Sequence, residues 1–293
     1  MNEPTFRLPP RRVGVAVKVG SADAVRLGRE VVRELGRRGV AAVVEAESAA
    51  ALDSPAGPPR SGLGREVDLV LVLGGDGTFL SATRGCPSST PVAGVNLGTL
   101  GFLTEHAPEN TFTLLEAILR GEVRIEPRQR LLVRIGEPVA EPLAVALNDV
   151  VVNKGVLARI VTICVEVEGE FLSRYRADGL IIATPTGSTG YNLSAGGPIV
   201  HPAMGALLVT PICAHDLTNR PLVVPTSLAV AAWVESWGEP ASVTVDGQLG
   251  VALEPGVRVH VSSSPEPLSV VRDPAGSFFS VLHRKLKWGE REG

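Results

Sequence analysis

Residues 68–78 read DLVLVLGGDGT: an apolar run, Asp68–Leu73, passes straight into Gly74-Gly75-Asp76-Gly77-Thr78. A short Leu/Val run bounded by glycine predicts a buried strand. Upstream, Val13–Val19 (VGVAVKV) predicts another. A helix follows it, capped by Ser21 or Asp23, with Val25, Val31, Val32 and Leu35 on one face, and Gly39 ends it. Ala41–Val44 is a further strand, and this opening β-α-β order predicts a parallel sheet. Downstream, Pro91–Val95 supplies a fourth strand and Pro108–Arg120 a helix ended by Gly121, while residues 53–65, rich in Pro, Gly and Ser, form a loop.

After Gly121 strand-like runs follow one another with few helical intervals: Leu131–Ile135, Leu143–Val152, Ile160–Val167, Leu180–Ala183, Leu207–Val209, Leu228–Val234, Val243–Val245 and Val257–Val261. One short helix starts near Ser188, and Ser277–Lys287 reads as an amphipathic helix. The fold class is therefore an α/β N-terminal domain with a parallel sheet, followed by a mostly β, sandwich-like C-terminal domain.

Composition narrows the function classes. With 293 residues, 44% of them apolar and 20% charged, the chain can bury two cores. Its formal charge of −3 argues against a nucleic-acid-coating protein. Cys86, Cys164 and Cys213 are scattered, without zinc spacing, as in a chain of the reducing cytosol. Residues 1–12 lack the apolar stretch of a signal peptide, and no run approaches the roughly 20 apolar residues of a membrane helix. A cytoplasmic protein without membrane partners is expected.

The 74–78 loop sits at the carboxyl end of a parallel strand, where α/β sheets place ligands. Gly74, Gly75 and Gly77 let backbone N–H groups approach a phosphate closely. Asp76 among them suits two uses, action through a magnesium ion or acceptance of a proton from a hydroxyl nucleophile; a tight turn capped by Asp76 is the plain alternative. The Walker lysine loop and the dehydrogenase Gly-x-Gly-x-x-Gly fingerprint are both absent from the sequence. Asn148-Asp149 offers donors, acceptors and a charge for ribose hydroxyls, or forms an Asx turn. Further on, Leu180–Ala183 delivers the chain into Thr184-Pro185-Thr186-Gly187-Ser188-Thr189, a small polar segment suited to phosphate or ribose oxygens, or to capping a helix. Asp246-Gly247-Gln248 reads as a hairpin turn.

Gly74-Gly75-Asp76-Gly77-Thr78 resembles the motif of NAD kinases, shared more distantly with diacylglycerol, sphingosine and phosphofructokinases. Gly94–Leu103 (GVNLGTLGFL), Asn148-Asp149, Arg176–Pro198 and Asp246-Gly247-Gln248 are similar to NAD kinase segments in the same order. The resemblance covers about Val13 to Gly289. It implies ATP as donor, with polyphosphate as a possible substitute, NAD as acceptor, a divalent metal ion such as Mg2+ carried with ATP, and a homodimer or homotetramer. It implies Asp76 as the general base. NAD contacts would come from Asn148, Asp149, Arg159, Arg176, Asp178, Thr189, Gly190, Tyr191, Asn192, Leu193, Ser194 and Gln248, with no protein ligand named for the metal. Gly190 stands where relatives usually carry Ala, and Ala214 replaces a Pro before His215, whose default role is structural. Leu286-Lys287-Trp288-Gly289 resembles the family's terminal motif and implies a C-terminal helix returning to the first domain. The domains are then 1–107 with 268–293, and 108–267. Two rival functions are a lipid or small-alcohol kinase of the wider superfamily, which would lack the 176–198 signature, and a pyridine-nucleotide sensor without kinase activity.

Overall fold

The computed structural model describes residues 6, 8–98, 101–154, 160–235, 241–273 and 276–287. Its elements run β1 (Arg12–Val17), α1 (Ala22–Arg37), β2 (Ala41–Val44), α2 (Ala46–Ala49), β3 (Leu69–Gly74), α3 (Asp76–Thr83), β4 (Val92–Asn96), α4 (Thr111–Arg120), β5 (Arg124–Arg128), β6 (Leu131–Ile135), β7 (Ala144–Ala146), β8 (Asp149–Lys154) and β9 (Val161–Val167). There follow β10 (Glu170–Ala177), β11 (Gly179–Ala183), α5 (Tyr191–Ser194), β12 (Ala206–Ile212), β13 (Leu222–Pro225), β14 (Val230–Val234), β15 (Ala241–Val245), β16 (Leu249–Leu253), β17 (Val259–Ser263), β18 (Leu268–Arg272) and α6 (Phe278–Leu286). The chain divides into two compact units, residues 1–127 with 268–293, and residues 128–267.

The first unit is built on a six-stranded sheet ordered β2-β1-β3-β4-β18-β5, parallel across β2, β1, β3, β4 and β18. Alternate residues explain its layers. Val13, Val15 and Val17 of β1 and Leu69, Leu71 and Leu73 of β3 face one core with Val31 and Leu35 of α1 and Leu114, Leu115 and Ile118 of α4. Ser21 caps α1, accepting from Ala24 N–H, and Gly121 ends α4 in the left-handed conformation at φ 74°. Burying each such Leu or Val contributes roughly 1.5–3 kcal/mol. Helix α6, capped by Ser277 in a reciprocal capping box with Ser280, belongs to this unit, and its Lys285 ammonium lies 5.4 Å from the Phe102 ring centre.

The second unit packs two six-stranded antiparallel sheets, β10-β9-β14-β17-β6-β7 and β13-β12-β11-β8-β15-β16. Val161, Ile163 and Val165 of β9 meet Val150 and Val152 of β8 and Leu180 and Ile182 of β11 in the shared core. The second sheet is buried on its outer face too: Val151, Ile181, Ala183 and Leu208 pack with Val200. That double burial is why Val150–Val152 of β8 and Leu180–Ala183 of β11 are continuously apolar where β9 carries Thr162 and Glu166 between its apolar residues. It also draws the segment after β11 back across the sheet. The expected Leu143–Val152 strand is corrected to two, β7 and β8, because a side chain takes up the backbone N–H groups at the junction, as described next.

Candidate active site

Strand β3 carries the chain into α3 through Gly75, the helix N-cap, so Asp76 is the first helical residue at the carboxyl end of a parallel sheet. Its carboxylate is held from one side. Oδ2 accepts from Phe102 N–H at 2.9 Å; Oδ1 accepts from Leu103 N–H at 3.2 Å, Thr104 N–H at 3.1 Å and the Thr104 hydroxyl at 3.0 Å. Thr104 Oγ1 accepts in turn from Asn96 Nδ2 at 3.0 Å, and Asn96 Oδ1 accepts from Gly98 N–H at 2.8 Å. The segment after β4 is thus knitted around one carboxylate. Gly101 allows this closeness: a Cβ there would lie 2.7 Å from Asp76 Cγ and 2.6 Å from Thr104 Oγ1. Gly75 and Gly77 are different. A Cβ on either would meet nothing within 4 Å, so the chain's own packing does not demand glycine there. Their backbone is left open to a group approaching from outside.

In the second unit, three strand ends meet. Ala183 of β11 pairs with Asp149 of β8, and Val245 of β15 pairs with Val150. Asp246 and Gly247, at φ 51° and 62°, turn β15 into β16, with Gln248 N–H closing the turn on Val245 O at 3.0 Å. The Asp246 carboxylate reaches back to accept from Leu147 N–H at 2.9 Å, Asn148 N–H at 2.7 Å and Asp149 N–H at 3.1 Å. These are the groups that leave the ladder between β7 and β8. Thr184 completes the junction, its hydroxyl donating to Leu147 O at 2.6 Å and its N–H to Asn148 O at 2.9 Å. Asp149 is 5% exposed. Burial, and then the nearby Asp246 charge, push its carboxyl up to about 7. Asn148 Oδ1 and Thr186 Oγ1 are buried and make no hydrogen bond within the chain; such groups in a polar recess suit a ligand's hydroxyls.

Gly190 lies against this pair, a Cβ there falling 3.5 Å from Asn148 Nδ2 and 3.3 Å from Gly187 O. Alanine would fit with a shift of a few tenths of an ångström, so glycine widens the recess slightly. Tyr191 and Ser194 are exposed, Thr189 and Leu193 half-buried, and Gln248 is exposed on the adjoining turn. Asn192 is different: it is fully buried, donating to Ser188 O and Pro198 O at 3.1 Å each and accepting from the Thr210 hydroxyl at 2.7 Å. Its side chain fastens the segment to β12. Asp178, ion-paired to Lys154 at 2.6 Å, sits at the opposite end of β8 and β11, where Gly179 pairs with Asn153. Exposed Arg176 is near it in sequence on β10, and its carbonyl accepts from His215 N–H at 2.8 Å. Arg159, Trp288 and Gly289 lie outside the described residues.

The ATP-NAD kinase N-terminal domain family matches residues 13–123, and the ATP-NAD kinase C-terminal domain family matches residues 147–273. The NAD kinase of Geobacter sulfurreducens is 43% identical over 285 residues, spanning 96% of this chain and 100% of that one. The chain belongs to the NAD kinase family. A second NAD kinase, from Geotalea daltonii, is 41% identical over 283 residues, again 96% of this chain and 100% of the relative. Among solved structures, yeast NADH kinase complexed with NADH matches with a TM-score of 0.88 at 26% identity, covering 97% of this chain and 90% of that one. An NAD kinase from Archaeoglobus fulgidus in complex with ATP matches with a TM-score of 0.77 at 27% identity, covering 94% and 98%.

As a member of the NAD kinase family the chain carries its glycine loop and its Asn-Asp pair on two separately built frames. The sequence reading did not single out the groups that orient them. Thr104 and Asn96 fix Asp76; Asp246 and Thr184 fix Asn148-Asp149; Thr186 adds an unpaired hydroxyl. Those that stood out in the sequence did so only as parts of longer motifs: Asn96 in 94–103, Thr184 and Thr186 in the small polar segment 184–189, and Asp246 in the hairpin turn 246–248. Among the described residues no three His, Cys, Asp or Glu side chains gather as a metal cage. No helix among them is long and apolar enough to cross a membrane.

Proposed function

We propose a division of labour for the reaction of this ATP-dependent NAD kinase, the transfer of the γ-phosphoryl group of ATP to the 2′-hydroxyl of the adenosine ribose of NAD, giving NADP. Asp76 accepts the proton of the attacking hydroxyl. One observation carries this assignment: its carboxylate is clamped by four donors, three on Oδ1 and one on Oδ2, so that Oδ2 retains a lone pair and a fixed direction for the substrate. The backbone of Gly74, Gly75 and Gly77 lies along the phosphates, helped by the N-terminus of α3. Phosphoryl transfer asks chiefly for alignment and charge neutralisation.

NAD is held by Asn148, Asp149, Arg159, Arg176, Asp178, Gln248 and the Thr189–Ser194 segment, in which Asn192 acts by anchoring the others. The polar groups fall into two clusters at opposite ends of β8, Asn148-Asp149 with Gly190 and Gln248, and Asp178 with Lys154. Asp149 and Asn153 are four residues, or about 13 Å, apart along the strand. An elongated dinucleotide with two ribose units suits such spacing. A magnesium ion arriving with ATP fits a site where phosphates supply most of its oxygen ligands, and it would offset their charge. The enzyme works in the cytoplasm as a homodimer or homotetramer, and polyphosphate is a second donor to try.

The test is a donor and acceptor balance. Purified protein is given ATP, magnesium and NAD, and NADP is read with a strictly NADP-dependent dehydrogenase. ATP consumption that requires NAD and matches NADP formed supports the assignment; NAD binding without NADP formation from ATP or polyphosphate would make the chain a sensor.

A further inference from the structure

We propose that Asp246 is a positioning residue for the NAD site: its carboxylate holds the backbone of residues 147–149 so that Asn148 and Asp149 present their side chains to the nucleotide. The inference rests on the assignment of that pair to NAD. Three successive N–H groups at 2.7–3.1 Å converge on one carboxylate, and Asp246 N–H returns a bond to Asp149 O at 2.9 Å. The junction is thereby locked in both directions. Such a nest of N–H groups binds an anion. Here the anion belongs to the protein, brought by an Asp-Gly turn whose left-handed φ of 51° Asp tolerates better than most residues. Without it, three N–H groups at the break between β7 and β8 would lack acceptors, and Asn148 Oδ1, buried without a partner, would lose its fixed direction.

The same carboxylate acts electrically. It is the charge that, after burial, raises the Asp149 carboxyl. β11, β15, β16 and residues 184–194 carry no charged side chain, Tyr191 being the one titratable group among them, and Arg134 of β6, which also packs on β8, donates to Ala140 O; the charge that bears on Asp149 is that of Asp246. Lys154 and its partner Asp178 are at the far end of β8. Ribose hydroxyls donate to an ionised carboxylate. NAD should therefore bind more tightly as pH rises through about 7, the value at which Asp149 ionises.

The experiment compares wild type with Asp246→Asn, Asp246→Ala, Asp149→Asn and Asn148→Ala. Calorimetry gives the NAD affinity from pH 5.5 to 8.5, 13C-carboxyl NMR follows Asp149, and melting controls for folding. Asn at 246 keeps an acceptor for Asn148 and Asp149 but turns a donor towards Leu147 N–H and removes the charge. We expect NAD affinity at pH 8 to fall about tenfold in Asp246→Asn and further in Asp246→Ala, with the KM for ATP unchanged. The Asp149 titration and the pH dependence of NAD binding should move together to lower pH in Asp246→Asn. A merely structural residue would not produce that joint shift. If Asn148→Ala and Asp149→Asn lose NAD while folded Asp246→Asn binds it like wild type with the Asp149 titration unmoved, the positioning role is overturned. If Asn148→Ala and Asp149→Asn bind NAD normally, the assignment of the pair fails, and the proposal with it. Should Asp246→Ala not fold, Asp246→Asn alone decides.

Discussion

Gly101→Ala is the most exacting perturbation of the Asp76 frame. The added methyl would lie 2.7 Å from Asp76 Cγ and 2.6 Å from Thr104 Oγ1. Non-bonded carbon atoms rest at about 3.5–4.0 Å, so either the carboxylate or the 101–104 segment must move by about 1 Å. Either movement breaks some of the four bonds that aim Asp76. A displacement of that size at a reacting group costs on the order of 10²-fold in rate, close to 2.7 kcal/mol of barrier. The loss should fall on kcat, with the Kd for NAD within about threefold of wild type, because the contacts assigned to NAD are in the other unit. Steady-state NADP formation together with calorimetric NAD binding separates the two. A folded Gly101→Ala enzyme with kcat within twofold of wild type would refute the claim that this frame aims the base.

Three further outcomes follow from the same reasoning. Gly77→Ala should melt like wild type, since its Cβ meets nothing within 4 Å, yet raise the KM for ATP about tenfold or more; an unchanged KM would mean that no phosphate passes over this backbone. Asp149 has its folded pKa raised from 3.8 to about 7, so its contribution to stability is fully present below pH 4 and is lost as pH rises through 7. Denaturant unfolding from pH 4 to 8 should show that loss, on the order of a few kcal/mol, and Asp149→Asn should flatten it. Arg60 braces the buried Glu45 at 2.5 Å and also donates to Val17 O and the Ser81 hydroxyl. Arg60→Ala strands that charge and should cost about 3–5 kcal/mol in urea unfolding; a loss under 1 kcal/mol would contradict the reading of the pair.

What the sequence disclosed, and what it hid, divides along the range of the interactions. The β1-α1-β2 opening, β3 running into its glycine loop, and β6 were legible because periodicity and glycine punctuation are local. Strand β10 was not: it lies at a sheet edge with Phe171, Leu172, Arg174 and Arg176 exposed, so its apolar pattern is blurred. Leu143–Val152 read as one strand although Asn148-Asp149 inside it offers an Asx turn; what fixes the break is Asp246, some 97 to 99 residues away. Arg60 sits in a Pro/Gly/Ser loop that reads as filler, and only the fold brings it to Glu45. Residues named for NAD by resemblance split likewise. Tyr191 and Ser194 are open to solvent, whereas Asn192 spends its side chain on Ser188, Pro198 and Thr210. Local pattern marks where chemistry can sit; it does not tell a contact from the residue that fixes one.

The central claim is that Asp76 takes the proton from the 2′-hydroxyl of NAD. The direct measurement is NADP formation by wild type and Asp76→Asn side by side, at saturating ATP, magnesium and NAD, with the Kd for NAD determined on both. Loss of a general base should lower kcat by about 10²–10⁴-fold while the Kd for NAD stays within a few-fold of wild type. A folded Asp76→Asn enzyme that turns over at close to the wild-type rate would contradict the account.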